Sequence, residues 1–390
     1  MKLLPALTLA ALLCLLASAF AAQTAGEPIL IGGLFAESGP AAFIGTPTRL
    51  VAEMTIADIN AKGGVSGRPL KLISYDTESD PNIAQRMARQ LIEADKVLAI
   101  VGPSTTGEGL AVKKYTEENH IPAIMTVGGD PVIAGGKFGP FAWTFKTPQR
   151  TSTAVEKIYA YLAAQKITKI AVLTAKDAFG QDGLEQLKAL APASGVTIAA
   201  EESLDPSGTD FSAQMFKLLE AKPQAVVVWT IGPAGAVAAK NFAELPGAKP
   251  LLVQCHGQPS PKYLELAGAA AEGTLMPGTK LMAAGQLPDS DPQKPVVLRF
   301  IAMYDERGLE KQFPLNTHSG YAFDALTLLR AGLEKAGKPD RDALRGALES
   351  LTGVVGVSGV FNLTPEDHNG LSVDSLVMLK VEHGRFTLAQ

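Results

Sequence analysis

The run Gln254-Cys255-His256-Gly257 places a thiol directly beside an imidazole. Such a pair suggests a cysteine nucleophile with its base. Nucleophile and base meet in space, however, and not usually in sequence, and a lone Cys is more often an inert buried side chain. A second group is Ser104-Thr105-Thr106-Gly107, three hydroxyls between the apolar run Val97 to Val101 and a helical stretch from Glu108 to about Asn119. N–H groups at a helix start beside Thr105 and Thr106 suit an anion such as a carboxylate. The plainer alternative makes Thr106 only the helix N-cap. The histidines, His120, His256, His318, His368 and His383, show no His-x-x-x-His spacing, so no metal site is expected. Neither a GxSxG elbow nor a GxxxxGK phosphate loop occurs, and the Gly-Gly pairs starting at Gly32, Gly63, Gly128 and Gly135 form no dinucleotide fingerprint. No cofactor is expected. Glu366 and Asp367, between Pro365 and Gly370, read as a solvated turn.

The elements around these residues alternate between strand and helix. Ile29 to Leu34 reads as a first strand, and a helix follows with Leu50, Met54, Ala57 and Ala61 on one face, stopping at Gly63-Gly64. Leu70 to Tyr75 is a second strand. Asp80-Pro81 then opens a helix running to about Asp95. The strand Ala123 to Thr126 leads into Val127-Gly128-Gly129-Asp130-Pro131. Two parallel strands followed by loops of this kind would bring both loops to one carboxyl edge, where open α/β sheets bind ligands. Thr153 and Glu156 form a capping-box pair before the next helix. Strands are expected again at Ile170 to Thr174, Val196 to Glu201, Ala225 to Thr230 and Leu251 to Gln254. Helices are expected at about Gln181 to Ala191, Ser212 to Ala221 and Ala234 to Glu244. Glu272 to Gln293 reads as loop. Three helices follow, about Pro295 to Arg307, Thr317 to Ala336 and Asp340 to Leu351, then strands in Val354 to Leu363 and Ser375 to Glu382. Two runs of alternation argue for two doubly wound domains.

The 390 residues are too long for one average domain and suffice for two. A composition of 46% hydrophobic and 19% charged residues is that of a globular chain, and a net charge of −4 without a basic stripe argues against nucleic acid as a partner. The first residues carry Lys2, the apolar run Leu3 to Leu16 and the small-residue site Ala19-Phe20-Ala21. That is the pattern of a secretory signal peptide over residues 1–22, with an apolar run shorter than the roughly 20 residues of a membrane span. Its removal takes Cys14 with it and leaves Cys255, so no internal disulfide forms and the core alone holds the fold. The expected location is periplasmic.

The stretch ADINAKGGVSGRPLKLISYDTESDPNIA (Ala57 to Ala84) resembles the branched-chain amino-acid class of periplasmic binding proteins, the leucine/isoleucine/valine receptors of ABC importers. So do Glu37-Ser38-Gly39-Pro40, GPSTTGEGLAV (Gly102 to Val112), AVLTAKDAFGQDG (Ala171 to Gly183) and the late helix with Tyr321, Ala322 and Asp324. The likeness runs in order along essentially the whole mature chain. It implies a type I two-lobed α/β clamshell with three interlobe crossings. The N-lobe would comprise 27–146 and 279–356, and the C-lobe 147–278 and 357–390. The protein would be a monomeric receptor and not an enzyme, taking a small amino acid or organic acid in the cleft and passing it to a membrane permease.

Carried over by position, the resemblance makes Thr106 the hydroxyl that holds the ligand carboxylate, beside Thr105. Val127, Gly128 and Gly129 match a loop supplying backbone groups and a hydroxyl, with Gly129 standing where the hydroxyl is expected. Phe179 matches an aromatic residue closing from the C-lobe, and Trp229 belongs to a second contact loop. Where the family carries acids near a ligand ammonium, this chain carries His256 and Arg150. A buried ammonium without an acceptor is costly, whereas Arg150 suits a carboxylate. Trp229, Phe179 and His256 suit a flat ring. These departures point to an organic acid without an α-amine, aromatic in character. The alternative keeps the amine, with Glu108, Asp130 or Asp177 as its partner. Two further alternatives are a ligand-sensing domain for a receptor and a cleft enzyme using Cys255 and His256.

Overall fold

The computed structural model describes residues 26–247 and 249–389, so the signal-peptide reading lies outside the described residues. Two sheets organise the chain. The first holds β1 (Ile29–Phe35), β2 (Leu70–Asp76), β3 (Ala99–Val101), β4 (Ala123–Met125) and β5 (Thr144–Lys146) in the order β2-β1-β3-β4-β5, all parallel. Between them run α1 (Ala42–Ala61), α2 (Pro81–Glu93) and α3 (Thr106–Glu118). Strand β3 is fully buried as Ala-Ile-Val, the continuous apolar run that a parallel strand covered on both faces requires. Helix α2 starts as its sequence dictates, with the Asp80 side chain accepting from Asn82 and Ile83 and Pro81 in the first turn.

The chain crosses after β5 into α4 (Thr151–Ala164) and builds the second sheet, in the order β14-β13-β10-β9-β8-β6-β7. Its parallel part is β6 (Lys169–Ala175), β7 (Thr197–Leu204), β8 (Ala225–Trp229), β9 (Leu251–Gln254) and β10 (Leu275–Thr279). Helices α5 (Ala178–Leu190), α6 (Ser212–Glu220), α7 (Pro233–Glu244) and α8 (Pro261–Ala267) lie between. The chain then returns to the first lobe with α9 (Lys294–Glu306), α10 (Tyr321–Ala336), α11 (Arg341–Leu348) and the small hairpin β11 (Val354–Val355) and β12 (Val360–Phe361). It ends in the second sheet with β13 (Leu376–Glu382) and β14 (Arg385–Leu388), both antiparallel. The result is the two-lobed α/β clamshell expected from the sequence, each sheet covered on both faces by its own apolar clusters.

Several expectations are corrected. The stretch 272–293 is not all loop. Leu275 to Thr279 form a buried strand whose Pro and Gly hid its pattern, pairing with β9 and β13. Strand β14 escaped notice because it is short and half exposed. The segment 357–371 packs with the first lobe, where Val357, Phe361, Leu363 and Leu371 join the cluster around α1 and α10. The third crossing therefore falls near residue 372 and not at 356. Thr153 and Glu156 make no capping box, because α4 begins at Thr151 and takes its cap from another lobe.

Candidate functional site

Every parallel strand of both sheets ends in a loop at its carboxyl edge, and these two edges face each other. A cavity of about 520 Å³ lies between them. From the first lobe it is lined by Pro40 and Phe43 after β1, Ser79 after β2, Ser104 to Gly107 after β3, and Gly128 after β4. From the second come Asp177 and Phe179 after β6, Pro206 after β7, Ile231 after β8, and His256 with Gly257 after β9. The volume is that of an ordinary small-molecule site.

The hydroxyl loop after β3 divides its work. Thr105, not Thr106, is the N-cap of α3, and it forms a capping box. Its Oγ1 accepts from the Glu108 N–H at 3.4 Å while Glu108 Oε2 accepts from the Thr105 N–H at 2.8 Å. Glu108 is fully buried and also bound by the Thr77 hydroxyl, so it is spent on the cap. Burial pushes its carboxyl above the usual range, against the hydrogen bonds from Thr77 and Thr105. Thr106 sits one residue into the helix. Its Oγ1 accepts from the Gly129 N–H at 3.2 Å, which leaves its own proton to donate. The first-turn N–H groups of Thr106 and Gly107 have no carbonyl behind them in the helix, and both residues line the cavity.

Gly128 and Gly129 are glycines for reasons of space. A methyl group at Gly129 would overlap the Thr106 side chain at 2.4 Å. One at Gly128 would stand 3.0 Å from the Phe179 ring and 3.2 Å from His256 Nε2. Two aromatic side chains of one lobe thus rest against the backbone of the other. Phe179, Trp229 and His256 form a triangle of rings with centroids 5.6–5.9 Å apart. Burial holds His256 neutral, with its pKa pushed down to about 3 and the Lys146 charge adding to the effect. His256 Nδ1 has no partner among the described residues.

The structure therefore brings Thr105, Thr106, Gly128, Phe179 and His256 to one cavity. It does not bring Val127, which is buried in the apolar cluster beside α3, nor Gly129 and Trp229, which stand one layer behind. Arg150 is also elsewhere. Its guanidinium pairs with Asp367 at 2.6 Å, and Asp367 is held below the usual carboxylate range. Burial pushes its carboxyl up, but the Gly370 N–H and Arg150 outweigh it. The supposed solvated turn at 366–367 thus consumes the charge that the sequence reading gave to the ligand. Cys255 is buried, its Sγ donates to the Thr230 carbonyl at 3.1 Å, and burial pushes the thiol up to about 12. It forms no pair with His256.

Three residues whose roles sequence reasoning missed hold the lobes together beside the cavity. Asp130, from the first lobe, caps α4 of the second. Its carboxylate accepts from the Thr151 N–H at 2.5 Å, the Ser152 N–H at 3.2 Å and the Ser152 hydroxyl at 2.6 Å. Asp182 of α5 accepts from the Asp130 N–H at 2.9 Å, and burial with the neighbouring Asp130 charge raises its pKa. Lys146, fully buried at the crossing, donates to the carbonyls of Gly128 at 2.6 Å and Gln149 at 3.2 Å, and burial lowers its pKa to about 8. A lysine ending the short strand Thr144-Phe145-Lys146 just before the crossing was the available signal.

A two-lobed α/β frame with a cavity lined from both sheet edges defines a solute-binding receptor. The chain belongs to the periplasmic binding protein family, whose model matches residues 28–384. It is 25% identical to the Leu/Ile/Val-binding protein BraC3 of Rhizobium johnstonii, over 96% of this chain and 98% of that one. It is 26% identical to a leucine-, isoleucine-, valine-, threonine- and alanine-binding protein of Pseudomonas aeruginosa, over 81% and 80% of the two chains. Among solved structures, an extracellular ligand-binding receptor of Rhodopseudomonas palustris HaA2 superposes with a TM-score of 0.83 at 27% identity, over 94% of this chain and all of that one. The likeness to the branched-chain amino-acid class is therefore real, and it spans nearly the whole chain. Among the described residues, no helix is long and apolar enough to cross a membrane.

Proposed function

We propose that this chain is the exported substrate-binding component of an ABC importer, capturing a small carboxylate-bearing solute between its lobes and delivering it to a membrane permease. The observation that carries the reading is the placement of Thr106 and Gly107. Their N–H groups and a free hydroxyl proton open the positive end of α3 into a cavity walled mostly by apolar and aromatic groups. A carboxylate held there reaches Phe179 and His256 of the other lobe, so binding favours the closed arrangement. The moving parts are the N-lobe and C-lobe of the sequence reading, with the third crossing shifted to about residue 372.

The site offers a ligand ammonium one carboxylate, Asp177, whose Oδ1 already caps α5 through the Gly180 N–H at 2.8 Å. The Phe179 and His256 rings favour a flat or aromatic body, whereas the relatives named for leucine, isoleucine and valine favour an aliphatic amino acid. A thermal-shift screen of the mature, ligand-stripped protein tests the proposal. Its two sets are α-amino acids and carboxylic acids lacking the amine. Ligand at about 100 times its dissociation constant stabilises by roughly 2.7 kcal/mol. A response to either set supports the reading and decides the amine. Silence in both refutes it.

A further inference from the structure

The cavity does not end at His256. A second chamber of about 510 Å³ continues along the cleft toward exposed residues such as Lys262, Gln312 and Pro314. The two chambers share five wall residues, Pro40, Phe43, Pro233, Gly257 and His318. Two of these reach across from the first lobe to the second. His318 Nε2 stands 3.0 Å from the Gly257 carbonyl, and the neighbouring Thr317 N–H donates to the Pro259 carbonyl at 3.0 Å. Phe43, in the first turn of α1, lies over Gly232 in the loop after β8, where an added methyl group would meet its Cζ at 3.1 Å. The Phe43 ring stands edge-on to His318, with centroids 6.5 Å apart and planes at 78°.

Among the described residues, Phe43 is one of three large apolar side chains left exposed, at 39% of its surface. Such exposure on a helix start serves no core, yet the ring sits on the line between the chambers. We infer that Phe43, braced by His318, is the partition that sets ligand length, confining a ligand anchored at Thr106 to the first chamber. His318 is tied to the opposite backbone and stays in place. Phe43 is held by contact alone, so its size is the variable that fixes where the first chamber ends. Truncating it joins the chambers, and enlarging it shortens the first.

The inference rests on the proposed capture of carboxylates, and its test separates the two. Binding to the mature protein is measured by calorimetry for two ladders of increasing length. One runs from benzoate through phenylpentanoate and the other from alanine through straight-chain aminooctanoate. Wild type, Phe43→Ala and Phe43→Trp are compared. Each methylene accommodated gains roughly fourfold in affinity, so the profile climbs and then breaks where the partition is met. The expected result is a break at least two carbons later in Phe43→Ala and earlier in Phe43→Trp. Opposite shifts cannot arise from a general loss of folding. The same break in all three proteins overturns the partition while leaving carboxylate capture intact. No binding of either ladder by wild type overturns both.

Discussion

Replacing Asp130 with Ala removes the acceptor for the first two N–H groups of α4. Arg150, at the N-cap position of that helix, offers no side-chain cap of its own. Loss of a cap costs about 0.5–2 kcal/mol, and leaving the buried Thr151 N–H unpaired adds about 1–3 kcal/mol. One effect runs the other way, because Asp182 loses the like charge that raises its pKa. Lys146 adds to the cost, since Asp130 is the largest favourable charge acting on it. The expected net loss is about 2–4 kcal/mol at neutral pH. A chain of this length unfolding as one unit moves about 1.3 °C per kcal/mol, so the melting temperature falls by roughly 3–5 °C. Asp130→Asn keeps one acceptor oxygen and falls by about half as much. Calorimetric melts of the ligand-free proteins measure both. The companion readout is the titration of Asp182, followed by carboxyl carbon NMR, whose midpoint drops in either variant. An Asp130→Ala protein that melts within 1 °C of wild type, with Asp182 titrating unchanged, refutes the remote-cap argument.

Three other outcomes are expected. Thr106→Val removes the donor hydroxyl and leaves the Gly129 N–H without its acceptor, so affinity for the solute falls roughly ten- to hundredfold in titration calorimetry, while Thr106→Ser keeps most of it. Arg150→Ala loses about 1 kcal/mol or less in a urea melt, because its partner Asp367 is partly exposed, and solute affinity changes less than threefold. In acid, the buried histidines His256 and His318 oppose the buried carboxylates Asp182 and Asp324. The depressed His256 pKa, about 3, contributes stability present above pH 6.5 and lost as pH falls toward 3, whereas the raised Asp182 pKa, about 6, contributes stability gained as pH falls from 6 to 4. Asp182→Asn removes the second contribution, so its melting temperature drops more steeply than that of wild type between pH 6.5 and pH 4.

The frame was legible wherever local signals agreed with burial. Asp80-Pro81 marks a helix start that needs no other chain segment, and Ala99 to Val101 is apolar because both faces are covered. Thr106 and Gly128 followed from two parallel strands ending at one edge, whereas Phe179 and His256 came from the family resemblance, and all four line one cavity. What could not be read was long-range pairing. Arg150 and Asp367 are 217 positions apart, and nothing local to either announces the other. The Thr153 and Glu156 pattern satisfied a local rule, yet the cap came from Asp130, 21 positions upstream across the cleft. The residues around 357–371 look like any short strands, and only packing against α1 and α10 assigns them to a lobe.

Cys255 has a use that its chemistry as a site did not suggest. It is the sole thiol among the described residues, fully buried and held as the neutral form. Alkylating reagents need a thiolate and a path to it, and the closed fold denies both. Its rate of modification therefore counts the openings of the core behind the cleft, without any engineered label. A bound solute that draws the lobes together slows that clock, and the slowing reads the coupling between occupancy and local opening in the unmodified protein.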